Sequence, residues 1–266
     1  MAEKTRVIVT GVLGRMGLET VKAVSRDEDL DLVGLVDIRG KGEKLSQLSH
    51  LKEIDLKVEN DLDKVIEKTK PRVMIDFTNP QAVFNNTRTA LKNKITCVVG
   101  TTGLNEVELR QLEKLAVDNK VGLAIIPNFA IGAVLMMRFA QEAARYFPDV
   151  EIIELHHDQK MDAPSGTSIK TAELINESRT SRVPRNVRDF EKIAGCRGGN
   201  LDQVRIHSIR LPGMVAHQEV IFGGSGQTLK IRHDSIDRAG FMPGVLMVVK
   251  KMLDCQGLVY GMENLL

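Results

Sequence analysis

Three glycines spaced by three, Gly11-Val-Leu-Gly14-Arg-Met-Gly17, stand between a β-branched apolar run at residues 6–10 and a stretch of helical apolar spacing at 15–25. The spacing is GxxGxxG where GxGxxG is commoner, but the physics is the same. Small residues permit a tight strand-to-helix turn, let the backbone approach a pyrophosphate, and let the helix pack closely on the strand. A second apolar run at 32–36 ends at Asp37, twenty residues beyond Gly17, where a carboxylate can meet the hydroxyls of an adenosine ribose. Many chains share the glycines alone. With the strand before them, the helix after them and the acid at this distance, a dinucleotide-binding βαβ unit is the expected start of the fold.

The alternation continues. Strands are expected at 72–75, 96–99 and 122–126, separated by helices at 80–92 and 105–119, which implies a parallel sheet covered on both faces. After a further helix at 132–146 the character changes. A strand at 150–155 and a helix at 165–178 are followed by strands at 204–210, 215–222 and 228–234. These last are separated by Leu211-Pro-Gly213 and Gly223-Gly-Ser-Gly226, the turn chemistry of antiparallel hairpins. A helix at 242–253 is expected to pack back on the first domain. The fold class is therefore α/β, a Rossmann-like doubly wound parallel sheet plus a second α+β domain with a mainly antiparallel sheet. Residues 1–127, completed by 236–266, form the expected dinucleotide-binding domain, and 128–235 the second. Arg179, Arg182, Arg185 and Arg188 recur at every third position in what reads as a solvated loop, with an ion-pair role at a subunit contact as the alternative.

Composition narrows the partners. The 266 residues carry 37 basic and 35 acidic side chains, a net charge of +2, so nothing general draws the chain to nucleic acid. With no Trp and two Tyr, stacking platforms for bases are scarce as well. Cys97, Cys196 and Cys255 are too scattered for a disulfide framework or a CxxC knuckle, which fits a reducing, cytoplasmic setting. No signal peptide is read, since residues 1–6 run straight into a strand. The uncharged run at 121–137 is broken by Pro127, Asn128 and Gly132 and falls short of the roughly 20 apolar residues a membrane span needs. No metal site is expected: His156 and His157 are adjacent, which rarely presents both rings to one ion, and no HExxH pattern accompanies them.

Chemistry concentrates between the strand at 150–155 and the helix at 165–178. The stretch Glu154-Leu-His-His-Asp-Gln-Lys160-Met-Asp162-Ala-Pro-Ser165-Gly166-Thr167 holds two imidazoles, an ammonium, three carboxylates and a Ser-Gly-Thr turn on one loop. The first N–H groups of the following helix, with the hydroxyls of Ser165 and Thr167, make a seat for a carboxylate. Singly, each residue has an ordinary reading, since a serine before a helix is usually a cap. Together they are the parts that proton transfer to a bound acid requires.

Three further turns follow expected parallel strands, at the carboxyl edge where ligands of open sheets bind: Asp76-Phe77-Thr-Asn-Pro80, Gly100-Thr101-Thr102-Gly103 and Pro127-Asn128-Phe129. Asp76 and the threonines serve equally well as caps. Asp37 favours the free 2′-hydroxyl of NADH, whereas Arg15 and Arg39 stand where a guanidinium would clamp the 2′-phosphate of NADPH, so use of both cofactors is the balanced reading. A solvated basic loop is the alternative for Arg39.

With these motifs in view, the chain resembles the dihydrodipicolinate reductase family, and the resemblance spans nearly its full length. It rests on Gly11 to Gly17, Asp76-Phe-Thr, Gly100-Thr-Thr-Gly103, Pro127-Asn-Phe129 and, most specifically, Glu154-Leu-His-His with Lys160-Met-Asp-Ala-Pro-Ser-Gly-Thr167. The resemblance implies a two-domain oxidoreductase, commonly a homotetramer, that reduces a cyclic imine dicarboxylate with NADH or NADPH in the diaminopimelate route of lysine biosynthesis, its second domain binding substrate and forming the oligomer. It implies His156 as proton donor or acceptor, Lys160 as proton donor, and His157, Gly166 and Thr167 as substrate-binding, to which the residue reading above adds Ser165. It places the cofactor on Gly11, Val12, Leu13, Gly14, Arg15, Met16, Asp37, Gly100, Thr101, Thr102, Ile126, Pro127, Asn128 and Phe129, to which the residue reading above adds Arg39 and Phe77. Relatives often carry Glu-His-Glu before a Val-x-Phe-Gly strand, whereas here Ala216-His217-Gln218-Glu219 precedes Val220-Ile-Phe-Gly223, so His217 is displaced by one residue.

The expected mechanism brings the nicotinamide against His156 and Lys160, with domain closure excluding water. Two other readings compete. A related amino-acid or semialdehyde dehydrogenase shares the nucleotide half but gives no reason for residues 160–167. A non-catalytic NAD(H) sensor needs none of the loop's proton donors.

Overall fold

The computed structural model describes residues 3–179 and 190–266. Of the regularly spaced arginines, Arg182, Arg185 and Arg188 lie outside these residues. The chain divides into two compact units, one ending at Phe129 and resuming over Phe241–Leu266, the other spanning Ala130–Gly240.

The first unit runs β1 (Thr5–Thr10), α1 (Arg15–Arg26), β2 (Leu30–Val36), α2 (Leu45–Leu48), β3 (Val58–Glu59), α3 (Leu62–Thr69), β4 (Val73–Asp76), α4 (Val83–Lys92), β5 (Thr96–Val99), α5 (Glu106–Asn119) and β6 (Gly122–Ile125). Its seven-stranded sheet has the order β12-β6-β5-β4-β1-β2-β3, with β12 (Gly257–Tyr260) from the end of the chain, and every pairing is parallel. The chain leaves β1 in one direction to build β2 and β3, then returns to β4 on the other side. That reversal opens a crevice beyond the carboxyl ends of β1 and β4, where open α/β sheets bind ligands.

The buried strands are apolar on both sides, as a doubly covered sheet requires. Ile8, Met74, Cys97, Val99, Leu123 and Ile125 pack against Val65 and Ile66 of α3, Val83 and Leu91 of α4, and Leu112 and Ala116 of α5. On α1, Thr20 lies 3.8 Å from the sulfur of Met242, the first residue of α8 (Met242–Met252), which joins the final helix to this unit. Sequence periodicity did not reveal α2, β3, α3, β8 or β12, all but one of them four residues or fewer. The helix expected from residue 80 starts later, at Val83, because the Asn79 side chain accepts from the Gln81 and Ala82 amides and holds a turn there.

The second unit contains α6 (Ile131–Ala143), β7 (Asp149–His156), α7 (Gly166–Ser178), β8 (Gly199–Leu201), β9 (Val204–Arg210), β10 (Ala216–Gly224) and β11 (Gln227–Ser235). Its sheet has the order β11-β10-β7-β9-β8. Three pairings are antiparallel and β7 with β9 is parallel, so the sheet is mixed but mainly antiparallel. Gly226, at φ +73°, closes the β10–β11 hairpin, a backbone conformation that favours glycine. One face of the sheet is buried through Val150, Ile152, Glu154, Val220 and Phe222; the other carries the half-buried Ile153, Leu155, Ile209 and Ile221.

Candidate active site

The glycine loop after β1 shows why no larger residue fits. Gly11 has φ +78°, and a Cβ there would lie 2.3 Å from the Phe77 carbonyl; a Cβ on Gly17 would lie 2.0 Å from the Gly11 carbonyl. The first constraint brings β1 against the β4 turn, and the second seats α1 on the loop. α1 begins at Gly14 with no side chain capping it, so its first-turn amides are available to a phosphate.

A cleft of about 330 Å³ opens at this edge, lined by Gly11, Gly14, Asp37, Arg39 and Phe77 among others. Asp37 is nearly buried, and its Oδ2 accepts from the Leu13 amide at 2.9 Å while Oδ1 accepts from the Arg39 amide at 3.0 Å and Arg39 Nε at 3.3 Å. One carboxylate thus ties the glycine loop to the end of β2 and holds the root of an exposed guanidinium. Glycines where a Cβ cannot fit, uncapped helix amides and an acid at the end of β2 are the features a dinucleotide needs. The residues fit such a group.

Beneath the cleft lies a network that residue patterns left open as a simple cap. The fully buried Asp76 accepts from Thr10 at 2.7 Å, Thr101 at 2.6 Å, Asn86 at 3.0 Å and both the amide and hydroxyl of Thr78. It fastens the ends of β1, β4 and β5 to α4, which sets the cleft floor. Thr101, Thr102 and Pro127 line a separate small hollow with Tyr260, a residue of β12 that residue patterns did not single out. Phe77 and Phe129 pack ring to ring at 5.6 Å. Val12 and Ile126 point into the core, so only their backbones can face a ligand.

In the second unit, β7 delivers Glu154 and His156 on the same face, two residues apart. His156 Nδ1 is hydrogen-bonded to Glu154 Oε2. Arg210, paired with His156 across the β7–β9 ladder, reaches Glu154 with Nη2 at 2.8 Å and Nη1 at 3.0 Å, and Nη2 also donates to the Asp162 carbonyl at 2.8 Å. Burial alone would raise the Glu154 carboxyl, but hydrogen bonds from His156, Arg210 and Ser208 outweigh it and bring the group from 4.5 down to about 2. It is ionised at any physiological pH. Lys160 holds both oxygens of Asp162, at 2.7 and 2.8 Å, which lowers the Asp162 carboxyl.

Ser165 is the N-cap of α7, and its side chain faces inward. Its Oγ accepts from the Ser168 amide and pairs with Ser168 Oγ at 2.9 Å, Ser168 Oγ donates to Gln218 at 2.8 Å, and Gln218 donates to Thr171. This chain locks the start of α7 onto β10. Beside it Gly166 is open, with nothing within 4 Å of where a Cβ would sit, so a ligand can reach the first amides of the helix. The loop thus brings His156, Lys160 and Gly166 to one end of β7, while His157 contributes its carbonyl to the turn at Lys160. His217 is engaged elsewhere: Nε2 accepts from the Val215 amide and Nδ1 pairs with Asp234 at 2.6 Å.

Arg210 and Gln218 are the residues that local reading missed, whereas Asp76 was marked at the carboxyl edge, with a cap as the alternative, but without the partners it gathers. Ladder register against Glu154 and His156 was the only signal for the first two, and register is not visible in one strand. Among the described residues no group of three or more His, Cys, Asp or Glu side chains is placed to hold a metal ion, and no helix is long and apolar enough to cross a membrane.

Comparisons with known proteins agree along the whole chain. Residues 5–129 match the model for the N-terminus of dihydrodipicolinate reductase and residues 132–266 that for its C-terminus. The 4-hydroxy-tetrahydrodipicolinate reductase of Syntrophomonas wolfei is 70% identical over 266 residues, all of both chains, and that of Desulfitobacterium hafniense is 49% identical over 99% of each. The dipicolinate-bound dihydrodipicolinate reductase of Paenisporosarcina sp. TG-14 superposes with a TM-score of 0.88 at 45% identity, covering 99% of this chain and 100% of that one. An amine dehydrogenase from Mycobacterium smegmatis, at 13% identity over 96% and 94% of the two chains and a TM-score of 0.68, shares the fold alone.

Proposed function

Because the chain belongs to the dihydrodipicolinate reductase family, we propose that it reduces the cyclic imine dicarboxylate 4-hydroxy-tetrahydrodipicolinate to tetrahydrodipicolinate with NADH or NADPH, in the diaminopimelate route to lysine. The observation that carries this is the 70% identity, end to end, to a reductase of that name.

A reduced nicotinamide, when bound, supplies the hydride. The chain's own groups do the rest. Amides of Gly11 to Met16 receive the pyrophosphate, Asp37 and Arg39 face the adenosine ribose, and Gly100 to Thr102 with Ile126 to Phe129 hold the nicotinamide end. The open amides at Gly166 and Thr167, with His157, receive a substrate carboxylate. Ser165 acts one step back, because its hydroxyl is spent on Ser168 and holds the helix start. Lys160 is held by Asp162, and a substrate carboxylate competes for the same ammonium, which can then both neutralise and donate. Loss of the 4-hydroxyl as water leaves a double bond conjugated to the carbon–nitrogen bond, which is retained, and His156 exchanges the proton that reduction of this conjugated system demands. Imidazole suits the task because one ring nitrogen can donate a proton while the other accepts.

The chain forms a homotetramer through the second unit, a reading supported by the apolar Ile153, Leu155, Ile209 and Ile221 left half-buried on the sheet face opposite α6 and α7. It works in the cytoplasm, which the three free cysteines favour. Steady-state oxidation of NADH and NADPH, with the cyclic imine generated enzymatically from pyruvate and aspartate semialdehyde, tests the activity. Imine-dependent oxidation is expected with both cofactors; none above the imine-free rate with either would refute it.

A further inference from the structure

Glu154 is the most deeply buried carboxylate near the proposed chemistry, with no exposed side-chain surface. A lone buried carboxylate is expensive, so its partners define what it is for. They are the two Nη groups of Arg210, the Ser208 side chain and His156 Nδ1. The same Arg210 holds the Asp162 carbonyl, and the Asp162 carboxylate holds Lys160. One guanidinium therefore connects both groups implied in proton transfer.

Resting on the reductase reading above, we propose that Glu154 and Arg210 are a positioning pair that presents His156 through Nε2 and fixes the loop bearing Lys160. An ionised carboxylate can only accept, so the His156 nitrogen facing Glu154 carries a proton. That leaves Nε2 as the nitrogen that exchanges a proton with substrate, and it fixes the ring plane along β7. The logic matches other sites where a buried acid selects the tautomer of a general acid or base. Among the described residues no other charged side chain is hydrogen-bonded to the ring. Across the ladder in β10, Ala216 and Gln218 are neutral, the start of α7 offers Ser165 and Ser168, and on the loop Lys160 and Asp162 pair with each other. Neither Glu154 nor Arg210 needs to touch substrate.

Two measurements test the pair. In the wild-type protein, nitrogen-15 NMR of the His156 ring should show Nδ1 protonated and hydrogen-bonded; a neutral ring carrying its proton on Nε2 would overturn the proposal whatever any variant does. Glu154→Gln keeps the shape and removes the charge. It should lower kcat about a hundredfold while the KM for the cyclic imine and the Kd for NADH stay within threefold, because orientation of a proton donor is lost and not a binding contact. Should that variant fold poorly around an unpaired Arg210, the double replacement Glu154→Leu with Arg210→Met removes the buried charges together and should show the same split. A folded variant of either kind turning over within threefold of wild type refutes the pair. If wild-type protein itself leaves the imine unreduced, the reductase reading fails instead, and the NMR result still decides the geometry.

Discussion

Acid should weaken the second unit by an amount set largely by Glu154. Its carboxyl lies at about 2 in the folded protein against an ordinary 4.5, and at roughly 1.36 kcal/mol per pH unit the difference is worth about 3 kcal/mol at neutral pH. The group is depressed on folding, so this contribution is present in full above pH 4.5 and is lost as pH falls towards 2. By pH 3 the linkage relation removes about 2 kcal/mol of it. The perturbation is Glu154→Gln, which does not titrate, compared with wild type at pH 7 and pH 3 by urea unfolding. Other carboxylates, among them Asp162, Glu151 and Asp234, titrate alike in both proteins and cancel in the comparison. Wild type should lose about 2 kcal/mol more than the variant over that interval. Equal losses, to within about 0.5 kcal/mol, would mean that the Arg210 and His156 hydrogen bonds do not hold the carboxylate as argued. Hydrogen exchange on the β7 amides at the two pH values would place the effect on the strand that carries it.

Other outcomes follow from the geometry. Gly17→Ala, whose Cβ would sit 2.0 Å from the Gly11 carbonyl, should weaken NADH binding at least tenfold by calorimetry while leaving the circular dichroism of the second unit's strands intact. His156→Gln and Lys160→Ala should each reduce turnover by about 10² to 10⁴ with little change in cofactor affinity, and wild-type rates in both would remove them from the reaction. Arg39→Ala should raise the KM for NADPH about tenfold and that for NADH less than threefold, since only the former offers a 2′-phosphate to the exposed guanidinium; equal effects would deny Arg39 any part in cofactor choice.

Much of this was legible in the chain. Period-two and helical apolar spacing located β5 at residues 96–99 and β9 at 204–210 without error, and α5 to within a residue, where Asn105 and Glu108 form a reciprocal capping box. Such signals are local: side chains a few residues apart share a face whatever the rest of the molecule does. The loop from Glu154 to Thr167 was legible for a related reason, since its proton donors and helix start are contiguous.

Partnership across the chain was not. Nothing in Gly257–Tyr260 announces that it extends the sheet beside Gly122–Ile125, and nothing near Arg210 announces Glu154, 56 residues away. Only register decides that Arg210 stands opposite His156, and a slip of one residue would turn it to the other face. The amino-acid order by itself determined which segments are strands and helices, where a dinucleotide turn lies and which loop holds titratable groups. The tertiary structure alone decided which buried charges meet, because the cost of burying a carboxylate is offset only by donors that long-range folding brings to it.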